Sequence, residues 1–66
     1  MFPNLRGEMA KFGVTGNELA AVLKIRPATF SEKMNGKSDF TLTEATLIKS
    51  YLGTALTLEE LFERDN

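Results

Sequence analysis

Ahead of three apolar stretches a threonine stands three residues before a glutamate, at Thr15–Glu18, Thr41–Glu44 and Thr57–Glu60. This is the capping-box pattern. The threonine hydroxyl serves the N–H three residues on, and the glutamate reaches back to the threonine N–H. Three helix starts are thereby set by local chemistry alone. Glycines supply stops at Gly13 and Gly53, and Asn35-Gly36 supplies another. Pro3 and Pro27 each suit a first helical turn, where the missing N–H costs nothing. Pro27 also disfavours helical geometry at Arg26, so a break is required at about Lys24–Arg26.

The punctuation divides the chain into five short helical segments. The first runs from about Pro3 or Asn4 to Phe12, with Leu5, Met9 and Phe12 on one apolar face. The second starts at Thr15 and ends near Leu23 or Lys24, with Leu19, Val22 and Leu23 as its stripe. In it, Ala20 permits close approach of another backbone. The third starts at Arg26-Pro27 and ends at Met34 or Asn35. The fourth carries Leu42, Ala45, Ile48 and Leu52 at three- and four-residue spacing and ends at Gly53. The last is short and holds Leu58, Leu61 and Phe62. No segment shows the alternation of a strand. The expectation is an all-α, compact five-helix single domain spanning residues 1–66. Phe2, Tyr51, Leu56, Leu58 and Phe62 either close its core or form a dimer seam.

Composition narrows the function. The chain has no Cys and no His. Disulfides, thiolate metal sites and the commonest general base are therefore excluded, and no nucleophilic pair with His can be assembled within one chain. An enzyme, a cofactor, a metal site and a small-molecule ligand are not expected. The longest strictly apolar run, Leu19–Leu23, is five residues, far below the ~20 of a membrane span. No basic stretch followed by an apolar one opens the chain, so a cytoplasmic protein is expected.

The net charge of -1 hides an asymmetry. Residues 1–38 carry six cations against three carboxylates, a balance of +3, and residues 39–66 carry two against six, a balance of -4. Such a split fits a basic binding face on an acidic remainder, and it fits ordinary surface scatter equally well.

Residues 15–37 carry the functional signal: a capped helix, a three-residue break, a second helix and an Asn-Gly stop. Two short helices joined this way can present the second one outward. At ~100° per residue, Phe30 and Met34 of the third segment share a buried stripe. Ala28, Thr29 and Glu32 lie opposite, flanked by Ser31 and Lys33. This outward face is small and polar. It is suited to a DNA major groove, although any solvated helix shows a similar face.

Thr15-Gly16-Asn17-Glu18-Leu19-Ala20, Ile25-Arg26 and Ser31-Glu32-Lys33-Met34-Asn35-Gly36-Lys37 resemble the helix-turn-helix of the lambdoid phage Cro and repressor class. The chain is also similar to small phage and prophage helix-turn-helix proteins. They share Ser31, Lys33, an apolar residue, Asn35, Gly36 and Lys37, with Phe40-Thr41 soon after. The resemblance covers about residues 4–62, including the closing Leu58-Glu59-Glu60-Leu61-Phe62. It implies a lambda-repressor-like fold and a sequence-specific DNA-binding regulator of a phage or prophage. The partner implied is a double-stranded DNA operator, bound by a homodimer.

Residue roles follow from the same resemblance. The start of the first motif helix would touch phosphate through Gly16 and Asn17, where backbone N–H groups suit an anion. The class usually has Gln at the Gly16 position. The outward residues of the second helix would read bases: Arg26, Pro27, Ala28, Thr29, Ser31 and Glu32. Pro27 cannot donate, which favours Arg26 for a guanine contact. Ala28 and Thr29 suit a thymine methyl, and Glu32 suits cytosine N4. Asn35, Lys37 and Ser38 would contact phosphate and set register, with Lys24 and Lys33 as further phosphate candidates. Many members carry Gly where this chain has Lys24, and a left-handed backbone there costs a side-chain-bearing residue ~1 kcal/mol. The departures at Gly16, Pro27 and Glu32, with the thin basic charge, define a second expectation: a helix-turn-helix used for protein contacts.

Overall fold

Each expected box closes. The Thr15 hydroxyl accepts the Glu18 N–H at 3.1 Å, and the Glu18 carboxylate accepts the Thr15 N–H at 3.1 Å. Thr41 with Glu44 and Thr57 with Glu60 repeat the exchange at 2.9 to 3.1 Å. A cap of this kind stabilises a helix by ~1 kcal/mol, which matters for helices too short to stand alone. The computed structural model describes residues 1–65. Its helices are α1 (Pro3–Phe12), α2 (Gly16–Leu23), α3 (Pro27–Met34), α4 (Leu42–Leu52) and α5 (Leu58–Leu61). No strand occurs among the described residues. Among the described residues no helix is long and apolar enough to cross a membrane.

The helix ends are as uniform as the starts. At the end of α1, Val14 N–H reaches Met9 C=O at 2.8 Å and Gly13 N–H reaches Ala10 C=O at 3.3 Å. The end of α2 repeats this paired motif, from Ile25 to Ala20 at 3.0 Å and from Lys24 to Ala21 at 3.1 Å. The end of α3 repeats it again, from Lys37 to Glu32 at 2.9 Å and from Gly36 to Lys33 at 3.2 Å. The motif needs a left-handed residue at its centre. Gly13 at φ 66° and Gly36 at φ 81° supply it freely, whereas Lys24 at φ 59° adopts it with a side chain attached.

Leu5, Leu19, Ile48 and Leu61 are fully buried and bring α1, α2, α4 and α5 to one core. Phe30 and Met34 add the inner face of α3. Phe40, in the connection after α3, packs edge-on against Phe30 at 5.8 Å, Phe2 at 5.5 Å and Phe62 at 5.3 Å. This ring cluster ties the start of the chain, α3 and α5 together, and edge-to-face pairs contribute beyond their buried area. Among the helices, α2 is the one whose backbone packs against α3.

Two apolar expectations are corrected and a third is narrowed. Leu42 is 75% exposed. At ~100° per residue it stands about 60° beyond Ala45 and about 120° from Ile48, at the margin of the α4 stripe. Its side chain borders a groove of about 310 Å³ with Phe2, Phe40, Ala45, Leu58 and Phe62. Phe12 lies on the correct side of α1 but in its last turn, where its ring stays exposed beside the Lys11 ammonium at 5.3 Å. Tyr51 does not close the core; it is exposed, and its hydroxyl donates to Glu18 Oε2 at 2.9 Å. Of the other terminal apolar groups, Phe2 is buried and Leu56, Leu58 and Phe62 are half-buried.

Candidate nucleic-acid interface

The α3 surface follows from its two ends. Arg26 is extended, at φ -73° and ψ 147°, as the following proline requires, and Pro27 opens the helix. Phe30 and Met34 turn inward. Arg26, Pro27, Ala28, Ser31 and Glu32 are exposed, and Thr29 is half-buried at the margin. The first turn of α3 contains no carboxylate.

An open groove of about 680 Å³ runs beside this face, between α1, the start of α2 and α3. Phe30, Met34 and Met9 contribute apolar lining, and Asn17, Ser31 and Asn35 are among its polar residues. No Asp or Glu lines it. The groove therefore brings Gly16, Asn17, Pro27, Ser31 and Asn35 together from separate parts of the motif. Gly16 packs against α3: a Cβ at this position would stand 3.4 Å from the Phe30 ring, an ordinary van der Waals contact, so the ring does not by itself exclude a side chain.

Sequence reasoning missed Arg6. It projects from α1 and lines the same groove, and its Nη2 donates to Asn35 Oδ1 at 3.3 Å. Its only sequence signal is a cation on the polar side of the first helix.

The expected phosphate contacts at Lys24, Lys33, Lys37 and Ser38 separate into two groups. Lys24, Lys37 and Ser38 are exposed around the ends of α2 and α3. Lys33 does not join them. Its ammonium lies 3.1 Å from Glu44 Oε1 and donates to Asp39 C=O at 2.9 Å. The two side chains are only 12% and 17% exposed, so Lys33 turns inward and pins α3 to the cap of α4.

The carboxylates nearest the motif are likewise engaged. Glu18 is held below the ordinary carboxylate range, first by the Thr15 N–H and then by the Tyr51 hydroxyl. Tyr51 is raised in turn by donating to Glu18. For Glu44, desolvation favours the neutral acid, but the Thr41 N–H and Lys33 together outweigh it and the group is lowered. Exposed Glu32 is the anion on the α3 face itself, and among the described residues no cation pairs with it. Glu59, Glu60, Glu63 and Asp65 lie on and beyond α5, outside the groove. The chain matches no family model, no curated protein and no solved structure.

Proposed function

We propose that this chain is a sequence-specific DNA-binding transcriptional regulator with a lambda-repressor-like helix-turn-helix, acting for a phage or prophage in the bacterial cytoplasm. The observation that carries the reading is the small polar face of α3, continuous with a groove that holds a cation and no carboxylate. In this reading α3 enters the major groove, which admits a helix. Arg26 stands at its leading end, where a guanidinium suits the O6 and N7 of guanine. Ala28 and Thr29 suit a thymine methyl, and Glu32 suits the amino group of cytosine. Lys24, Asn17, Lys37 and Ser38 supply contacts to the sugar-phosphate backbone and set register.

Arg6, Lys24, Arg26 and Lys37 are exposed cations on or beside the motif, against exposed Glu18 and Glu32. That is thin for a single protomer, and it supports a homodimer on a two-fold operator. Each protomer measures 26 × 25 × 21 Å. Two side by side can place their α3 helices one turn of DNA apart, ~34 Å.

Titrating the protein with duplex DNA at several salt concentrations tests the reading. Binding at low salt with affinity falling steeply as salt rises is expected, because neutralised phosphates release counterions. No binding at low salt, or affinity indifferent to salt, overturns it. The second reading, a helix-turn-helix that contacts protein, draws on exposed Glu32 and on the withdrawal of Lys33 into its ion pair. That reading predicts the indifferent result.

A further inference from the structure

We infer that Arg6 and Asn35 together form a seat for a DNA phosphodiester, which extends the interface beyond the motif onto α1. The inference rests on the DNA-binding reading above. A guanidinium has five N–H donors and no acceptor. Asn35 must therefore turn its amide oxygen toward Arg6, as the 3.3 Å bond shows. The Asn35 NH2 group is then left facing away from Arg6, with two donors. Arg6 and Asn35 both line the groove. The pair presents hydrogen-bond donors, and no carboxylate lines the groove around it. Among the described residues no carboxylate lies within salt-bridge distance of Arg6. A guanidinium in such surroundings fits a phosphodiester by its planar fork.

Both residues are held from behind. Arg6 follows fully buried Leu5. Asn4 ties the same turn to α5 by donating to Glu60 C=O at 2.8 Å. Asn35 caps α3 within the paired end motif closed by Gly36 and Lys37. Little ordering is then left for the moment of binding. Ser31 and Asn17 line the same groove and place the seat beside the α3 face.

The test measures binding of a mixed-sequence DNA duplex by fluorescence anisotropy across a salt series. The proteins are the wild type, Arg6→Gln, Arg6→Lys, Asn35→Ala and Asn35→Asp. Arg6→Gln is expected to weaken binding about tenfold and to reduce the salt slope by about 0.9. Asn35→Asp distinguishes a seat from a structural bond. A carboxylate would hold Arg6 more firmly, so a structural role predicts an unchanged or tighter complex. The seat predicts a larger loss of affinity for Asn35→Asp than for Asn35→Ala, because the new charge faces phosphate. If Arg6→Gln fails to fold, Arg6→Lys decides: a retained slope with several-fold weaker binding supports the seat, and undiminished binding overturns it. A salt-dependent wild type whose slope survives Arg6→Gln overturns the seat and leaves the DNA reading standing. A wild type without salt-dependent binding overturns both.

Discussion

Three helices end in the same paired hydrogen-bond motif, and α2 alone closes it on a residue other than glycine. Lys24→Gly is therefore expected to stabilise the fold. A left-handed backbone costs an L-residue with a Cβ about 1–2 kcal/mol. Glycine removes that strain but gives the unfolded chain more freedom, which offsets about 0.4–1 kcal/mol. The net gain is about 0.5–1 kcal/mol. For a domain of this size each kcal/mol moves Tm by about 4–8 °C, so the rise is about 2–8 °C. Lys24→Ala is the control. It removes the charge and the long side chain but keeps the Cβ, and so the strain. Its stability should stay within about 0.5 kcal/mol of wild type. Thermal and urea denaturation followed by circular dichroism measure both variants, and an unchanged m value confirms that the same transition is compared. If Lys24→Gly is no more stable than Lys24→Ala, the strain assigned to the turn is wrong. Should Lys24 contact phosphate, both variants will also lose about 0.9 from the salt slope, which separates its charge from its backbone.

The reverse substitution at Gly36, φ 81°, should act in the opposite direction and more strongly, because a Cβ there would also press on the end of the Met1 side chain. Gly36→Ala is expected to lower stability by about 1 kcal/mol or more, and no change in the urea midpoint would contradict the geometry. Lys33→Ala should lower Tm by about 5 °C or more, because it breaks the largely covered pair with Glu44, while leaving the DNA salt slope unaltered. A slope that falls by about one would return Lys33 to the phosphate contacts. Stability should also depend on acid. Glu18 and Glu44 sit below their ordinary 4.5, so the folded state binds their protons less readily than the unfolded chain does. Their contribution is complete above about pH 4.5 and is lost as pH falls through the lowered values. The double variant Glu18→Gln, Glu44→Gln should lose stability less steeply in acid. A melting profile against pH parallel to wild type would refute the assignment.

How much of this was legible in the sequence depends on how local each cause is. The helix boundaries were readable because threonine, glutamate, proline and glycine act on their own turn. The left-handed turn at Lys24 was suggested only by the resemblance, in which many members carry Gly there, and not by the lysine itself. Leu42 and Phe12 were misjudged because periodicity gives direction around a helix axis and not the reach of the neighbour that covers it. Lys33 turns inward because Glu44 arrives from another helix, and nothing near Lys33 in the sequence announces that. Arg6 was invisible as a site residue for a similar reason. Only the docking of α1 beside Asn35 makes a groove out of two distant segments. At Gly16 the departure from the class was visible, and nothing in the structure explains it, since a Cβ there would meet the Phe30 ring at an ordinary 3.4 Å.

The way α3 is held has a consequence for its equilibrium between closed and open forms. Its backbone packs on α2, while Phe40 and the Lys33–Glu44 pair secure it from outside the helix pair. Beyond α2 and the buried side chains of Phe30 and Met34, these are the contacts that hold the helix shut, and loosening either raises the open fraction. Any partner that engages only the closed form sees an affinity scaled by the closed fraction. The tightness of the Phe40 contact thus enters the binding constant, although no nucleotide need ever touch that ring.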